Sequence, residues 1–148
     1  MYLESAIWVE RSPSEVWAFF ADPLNLSKWD RSVTRVVITS SGPFGVGFTF
    51  DTFGPATNKE GARSSYRVSE YQPGKYVWVD LTNAKLFRQA RWLTAVEAID
   101  KGTNMRIGIA LTFKRRYICL WPIFRLTTYG IRRDLGYLKQ AIESSIMY

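Results

Sequence analysis

A chain of 148 residues suits one domain that can bury one substantial core. Apolar residues make up 47% of the sequence and aromatic residues 16%, a content of core-forming side chains that excludes a disordered protein. Histidine is absent, which excludes the common serine and cysteine triads, histidine-ligated zinc or haem, and imidazole proton shuttles. Any acid–base chemistry must therefore use Asp, Glu, Tyr, Lys or ordered water.

The N-terminal segment predicts a strand followed at once by a helix. Residues 2–10 alternate in the manner of a strand, with the apolar side chains of Leu3, Ile7 and Val9 in one phase. The helix begins in the segment Ser12-Pro13-Ser14-Glu15, which supplies a capping serine, a proline for the first turn and a glutamate three residues after the cap.

A second short helix and a run of strands are predicted next. Asp22-Pro23 repeats the combination of cap and proline, so a helix over residues 23–29 should follow the first one directly. The pattern then changes to short strands separated by turn residues, at 34–39, 47–53, 64–71, 76–82, 91–99 and 104–113. Because sequential short strands with tight turns pair with their neighbours, the sequence predicts an antiparallel meander.

The C-terminal segment predicts one long amphipathic helix. Apolar side chains recur at spacings of three and four from Phe124 to Ile146, and Pro122 suits the first turn. A stripe of about 25 residues is about 37 Å long, so it can cross a small domain and must be buried against the sheet. The single cysteine, Cys119, lies in the apolar run before this helix, where we expect a small buried side chain.

Location and charge give two further expectations. The N-terminus lacks the basic start and apolar run of a signal peptide, and no apolar run is long enough to span a bilayer, so we expect a cytoplasmic protein. The net charge of +7 invites a nucleic-acid partner. The basic residues are scattered, apart from Lys114-Arg115-Arg116 and Arg132-Arg133, and no nucleic-acid-binding motif accompanies them, so the sequence disfavours that class.

Several short motifs occur in an order that is found in one superfamily. The most specific motifs are N-terminal: Ser12-Pro13-Ser14-Glu15-Val16-Trp17, Asp22-Pro23 and Trp29-Asp30. Weaker matches continue along the chain at Gly45-Val46-Gly47, Tyr66-Arg67-Val68, Tyr71-Gln72-Pro73-Gly74, Gly102-Thr103, Leu135, Leu138-Lys139 and Glu143. Together they cover nearly the whole chain, which resembles the START-like or SRPBCC superfamily with its Bet v 1-like and polyketide cyclase/dehydrase groups.

This resemblance implies an α+β helix-grip fold, formed as one domain by residues 1–148. Two short helices after the first strand would grip one end of a seven-stranded antiparallel sheet, and the long C-terminal helix would lie across its concave face. The resemblance also implies an internal cavity between helix and sheet for a lipid, sterol, polyketide or aromatic metabolite. Members include cyclases, dehydratases, carriers and receptors, so the fold leaves the activity open.

Three carboxylates are candidates for acid–base catalysis. Asp80 and Glu97 each share a strand phase with apolar neighbours, so either could point into a cavity, where burial would make it a usable acid or base. Asp134 borders the apolar stripe of the C-terminal helix and could reach a ligand at the cavity mouth. The alternatives are a solvated side chain or an ion pair, with Arg91 or Arg106 for the strand residues and a neighbouring arginine for Asp134.

Candidate ligand contacts are side chains on the sheet face and on the helix stripe that should meet in the cavity. They include rings that offer a polar group while packing against an apolar skeleton. These candidates are Tyr66, Trp78, Thr94, Ile107, Ile109, Thr127, Tyr129 and Ile131. By contrast, Trp17 and Trp29 are interpreted as structural side chains that close the helix pair against the sheet.

The run Lys114-Arg115-Arg116 directly precedes the apolar residues 118–124, and this adjacency allows two interpretations. The segment could form the basic rim of the cavity entrance beneath the last helix. It could instead touch a membrane, because basic residues beside Trp and Phe favour an anionic interface.

Two functions fit these features. The first is a polyketide cyclase-like enzyme of natural-product biosynthesis, which folds a hydrophobic substrate for intramolecular cyclisation or dehydration. Its rate acceleration would come mainly from holding the reacting atoms together. We expect no cofactor and no metal for it. The alternative is a non-catalytic carrier or sensor of a lipid-like ligand. In both cases the partner is a hydrophobic small molecule, and the sequence says nothing about the oligomeric state.

Overall fold

The computed structural model of the chain describes residues 1–55, 62–124 and 127–145, with side chains except at 124–130 and 145. Seven strands form one antiparallel sheet in the order β1-β7-β6-β5-β4-β3-β2. Every strand pairs with its sequence neighbour except β1, which pairs with β7. The strands are β1 Tyr2–Val9, β2 Arg35–Ile38, β3 Thr49–Phe53, β4 Arg63–Gln72, β5 Tyr76–Leu81, β6 Phe87–Ile99 and β7 Gly102–Phe113.

Two short helical segments follow β1, as the capping signals predict. Helix α1 spans Pro13–Phe20, and the Oγ of Ser12 accepts a hydrogen bond from the backbone N–H of Glu15 at 3.3 Å. The predicted second helix is divided into a 3₁₀ turn, Pro23–Asn25, and helix α2, Leu26–Trp29. A carboxylate caps the turn, because Oδ1 of Asp22 accepts from the N–H of Leu24 at 3.0 Å.

The concave face of the sheet carries the core, and the alternation predicts its residues correctly. In β7 this face consists of Met105, Ile107, Ile109 and Leu111, all of them buried. Opposite them, β6 contributes Ala90, Trp92, Thr94 and Val96 in the paired positions. The alternate residues of β6, among them Arg91 and Glu97, therefore project from the outer, convex face.

Helix α4, Thr127–Ser145, closes part of this concave face. Its apolar stripe is buried through Ile131, Leu135, Leu138 and Ile142, of which the last two are completely inaccessible. Helix α4 packs against β1, and the C-terminal half of α4 lies next to α2. This is the helix-grip arrangement that the resemblance implies, and the fold prediction is confirmed.

The predicted bounds differ most at the start of β6. This strand begins at Phe87 rather than at Arg91, because the pairing of β6 with β7 shifts register between Phe87 and Gln89. Arg88 and Gln89 are both exposed, so the two-residue alternation breaks there. Because such a bulge interrupts the alternation, the sequence pattern does not reveal the first residues of the strand.

The predicted long C-terminal helix is interrupted. A 3₁₀ helix, Arg115–Leu120, and the short helix α3, Trp121–Phe124, precede α4. Pro122 lies in the first turn of α3, where its missing N–H costs nothing, so the helical phase restarts before α4. The expectation that Cys119 is buried is wrong: its thiol is exposed, because this segment lies outside the packed stripe. No helix in the described ranges combines the length and apolar character needed to cross a bilayer.

We predict opposite effects of adding one methyl group at two glycines. A Cβ at Gly102 would collide with the backbone oxygen of Val9 and the ring of Trp8, so Gly102→Ala should lower the free energy of unfolding by about 1–3 kcal/mol. A Cβ at Gly136, within α4, would meet no heavy atom within 4 Å, so Gly136→Ala should raise it by about 0.5–1 kcal/mol. Urea unfolding of both variants measures these changes, and equal effects would contradict the packing described at the β1–β7 edge.

Candidate ligand cavity

A cavity of about 110 Å³ lies between the α1–α2 pair and the concave face of the sheet. Its volume is of the order of the roughly 150 Å³ void that admits benzene and below the roughly 300–1,000 Å³ of common ligand pockets. The helical side is formed by Phe20, Pro23, Leu26, Trp29, Asp30 and Val33. The sheet side is formed mainly by Phe50, Thr52, Tyr66, Val77, Val79, Trp92, Thr94 and Ile107. The cavity therefore fits one ring in an apolar setting.

The helix pair is fixed over this cavity by local contacts. The side-chain amide of Asn25 donates a hydrogen bond to the backbone oxygen of Phe19 at 3.0 Å, which joins the 3₁₀ turn to the end of α1. The rings of Phe20 and Trp29 meet edge to face, with centroids 6.1 Å apart. The turn chemistry of Asp22-Pro23 thus places two buried rings above the sheet.

Trp29, one of the residues that line the cavity, carries an unsatisfied donor. The side chain is 8% exposed, and its indole Nε1–H is buried without a hydrogen-bond partner among the described residues. Leaving a buried donor without an acceptor costs about 1–3 kcal/mol, so such groups need an explanation. The sequence interpretation of Trp29 as purely structural did not include this donor, because only the packed structure shows that it has no acceptor among the described residues.

Tyr66 is the second polar group of the cavity. Its ring stacks on Phe50 at 5.3 Å and meets Trp92 edge to face at 5.6 Å. Burial raises the pKa of the Tyr66 phenol, and the charge of Asp30 raises it further, while the side chains of Ser64 and Thr52 act in the opposite direction. The phenol therefore keeps its proton at neutral pH and can donate a hydrogen bond.

Asp30 connects the cavity with helix α4. Its Oδ1 accepts two hydrogen bonds from Ser32, from the backbone N–H at 2.9 Å and from Oγ at 2.6 Å, which hold the carboxylate at the end of α2. Burial raises the pKa of Asp134 on α4, the charge of Asp30 raises it further, and Arg133 lowers it. Asp30 thus acts electrostatically on both Tyr66 and Asp134. Of these three residues, the sequence interpretation omitted Asp30.

Asp80 lies on the opposite face of the sheet, away from this cluster. Its Oδ1 accepts a hydrogen bond from Nε of Arg91 at 2.9 Å and another from Oγ of Ser69 at 2.9 Å. The same arginine also pairs with Glu70 at 3.0 Å, and its guanidinium lies 4.7 Å from the ring centre of Trp78. Of the two orientations that the sequence allowed for Asp80, the structure shows the outward one, paired with Arg91, because the strand phase to which it belongs faces outward.

Glu97 and Trp78 share that outer face. Glu97 lies on β6 in the same phase as Arg91, is exposed, and borders an open groove together with Lys75 and Arg106. Trp78 packs beside Tyr2 with ring centroids 6.5 Å apart. Neither is among the residues that line the cavity. Period-two alternation shows that residues share a face, but it does not show which face is concave.

The remaining candidates divide into three groups. Tyr66, Thr94 and Ile107 line the cavity, and their contact with a ligand stays a prediction. Ile109 and Ile131 are buried in the packed core beneath α4, at 7% and 4% exposure, and are not among the lining residues described. Thr127 and Tyr129 belong to α4, but their side chains lie outside the described residues. Among the described side chains, the cavity is covered by those of the α1–α2 pair and the residues that follow it, whereas the sequence interpretation placed it beneath the C-terminal helix.

The family profile described as polyketide cyclase/dehydrase and lipid transport matches residues 3–143, and the chain belongs to this family. Among curated proteins, no sequence matches significantly.

Solved structures share the fold at low identity. One is Ara h 8.0201, with a TM-score of 0.75 and 12% identity over 97% of this chain and 98% of that one. Another is the di-domain ARO/CYC StfQ of the steffimycin biosynthetic pathway, at 0.78 and 12% over 99% of this chain and 52% of that one. A third, norcoclaurine synthase of Thalictrum flavum, gives 0.74 and 11% over 98% and 95%. These similarities establish a Bet v 1-like helix-grip fold.

We predict that Asp134→Asn stabilises the protein at neutral pH. A folded-state pKa above the ordinary value means that folding disfavours the ionised carboxylate, so stability falls as pH rises through the folded pKa. The amide stays neutral, and the variant should melt higher at pH 7, by about 1–2 °C, with the difference vanishing below the ordinary pKa of about 3.9. Thermal unfolding across this pH range measures it.

Glu143→Gln on the same helix serves as the control for loss of one negative charge. An equal gain in that control would attribute the effect to net charge and not to the neighbourhood of Asp30.

Proposed function

We propose that this protein binds a hydrophobic molecule of about one ring that carries a carbonyl or hydroxyl oxygen, and promotes its intramolecular cyclisation or dehydration. The observation that supports this most is the buried indole N–H of Trp29, a residue that lines the apolar cavity. This N–H has no acceptor among the described residues. A ligand oxygen would satisfy this donor, while the surrounding rings would cover the carbon skeleton.

A second donor strengthens the preference for an oxygenated ligand. The protonated phenol of Tyr66 lines the same cavity and supplies a second neutral donor for an oxygen of the ligand. In a cavity that excludes water, such donors stabilise negative charge that develops on that oxygen. The cavity then favours an enolate-like state over the bound ketone.

Asp30 is the carboxylate placed to move the proton. It lines the cavity at the end of α2 and belongs to the same electrostatic cluster as Tyr66. In the proposed reaction its carboxylate removes a proton next to the ligand carbonyl, and the resulting carbon forms a bond to a second carbonyl carbon of the same molecule. The alkoxide that forms takes the proton back, and later loss of water completes a dehydration.

The competing function is a carrier that holds the same ligand without changing it. It is supported by the outward positions of Asp80 and Glu97, which leave few carboxylates near the cavity, and by the lipid transport in the family description. Shape and donors would serve binding equally in both cases. The two functions differ in whether a bound dicarbonyl compound is released intact.

We predict that Trp29→Phe weakens binding of phenol but not of toluene, which has nearly the same size and lacks the oxygen. Loss of one hydrogen bond should reduce phenol affinity about 3- to 10-fold, and ligand-detected NMR measures both affinities. Trp17→Phe is the matched control, since Trp17 stacks on Tyr71 outside this cavity. Equal losses for the two ligands would show that the variant changes only cavity shape.

A second experiment tests catalysis. A short linear 1,5-diketone, incubated with the protein, should yield the cyclic enone, and Asp30→Asn should reduce the rate at least about 100-fold, the contribution of one general base. Glu97→Gln should leave the rate unchanged, because Glu97 lies on the outer face. Recovery of unchanged diketone that nonetheless binds with Trp29-dependent affinity would favour the carrier.

A further inference from the structure

The segment 114–124, between β7 and α4, exposes large apolar side chains. Ile118 is 57% exposed, Ile123 62% and Trp121 40%, and the neighbouring Cys119 is exposed as well. Single exposed apolar residues are common on protein surfaces, but a group of them within six residues marks an interaction surface. Two short helical pieces hold them, the 3₁₀ helix and α3.

The charge around this segment has one sign. Lys114, Arg115 and Arg116 begin it, and both arginines are exposed. Along the sequence, no Asp or Glu occurs between Asp100 and Asp134, although the chain as a whole contains 13 acidic residues. The apolar side chains are therefore bordered by positive charge that no acidic neighbour in sequence offsets.

The segment does not form the rim of the cavity described above. The described lining residues come from α1, the 3₁₀ turn, α2, the loop at Phe44 and strands β3 to β7, and none comes from 114–124. The interpretation of this segment as a cavity entrance is therefore not supported. The exposure of Ile118 and Ile123 therefore has to be explained in another way.

We propose that the segment 114–124 docks the protein on the surface of an anionic lipid bilayer. Tryptophan and isoleucine side chains can enter the boundary between headgroups and acyl chains, while the adjacent arginines remain at the level of the anionic headgroups. A second copy of the chain fits less well, because pairing would bring two sets of Lys114, Arg115 and Arg116 together. A nucleic acid would engage the arginines but would leave Ile118 and Ile123 in water.

Vesicle co-flotation of the full chain tests the proposal independently of any cavity ligand. The protein should float with phosphatidylcholine vesicles that contain phosphatidylglycerol and remain unbound with phosphatidylcholine alone. Binding should weaken as salt rises, since screening acts on the arginine contribution. Equal binding to both vesicle types, or none to either, would overturn the proposal.

Variants separate the contribution of the basic side chains to binding from that of the apolar side chains. Arg115→Gln with Arg116→Gln should weaken binding about 25-fold, at about fivefold for each charge, and Ile118→Ser with Ile123→Ser about tenfold or more. The controls are Lys75→Gln with Lys101→Gln, and Leu24→Ser with Val46→Ser, which change exposed basic and exposed aliphatic residues elsewhere in the protein. If the controls lose as much binding as the segment variants, the contact is non-specific. Circular dichroism verifies that each variant is folded.

The single cysteine provides a direct readout in the otherwise unchanged protein. Cys119 lies within the segment and is exposed, so it can carry an environment-sensitive fluorophore. Its emission should shift to the blue with anionic vesicles and stay constant with DNA. A shift with protein concentration in the absence of lipid would assign the segment to self-association, and a shift with DNA would assign it to a nucleic acid. Either result would overturn the bilayer proposal.

Discussion

The structure depends on how the apolar concave face of a curved sheet is covered. Helix α4 covers one part, and there the packing is complete: Leu135, Leu138, Ile142 and Met105 are buried to 1% exposure or less. The short α1–α2 pair covers another part, above residues of β3 to β7. A pair of short helices with large rings cannot follow a curved sheet as closely as a long helix does, so a void remains beneath it. The cavity is thus a consequence of unequal coverage.

Polar groups at this void explain why it is more than a packing defect. A dry apolar void would bind any small hydrocarbon, but this one borders the indole of Trp29, the phenol of Tyr66 and the carboxylate of Asp30. Trp29 lacks an acceptor among the described residues, and Tyr66 stays protonated. Among the described groups of the cavity, the indole N–H of Trp29 is the buried one that lacks an acceptor, and a ligand oxygen that accepted from it would remove this cost to stability, which favours a binding role. The small volume limits that role to a ligand, or part of one, of about one ring.

On the outer face of the sheet, several polar side chains are paired with one another. Arg91 joins Asp80, Glu70 and Ser69 in one partly exposed network and lies over the ring of Trp78. Leu93, which pairs with Trp78 across β5 and β6, is 6% exposed. The charges of the network are paired within the fold, whereas those of the segment 114–124 border exposed apolar side chains. This difference is why the latter is the better candidate for an external partner.

The sequence by itself determined the elements and the family. Alternation in β1 and β7, the capping motifs at Ser12 and Asp22 and the spacing of Ile131, Leu135, Leu138 and Ile142 are local properties, and local physics fixes them. Only the tertiary structure decided which phase of β5 and β6 faces inward, and so placed Asp80 and Glu97 outside while keeping Tyr66, Thr94 and Ile107 at the cavity. It also exposed Cys119 and left Trp29 without an acceptor. The reason is that curvature and helix placement arise from contacts between segments distant in sequence, and a periodic pattern carries no information about which side those contacts will cover.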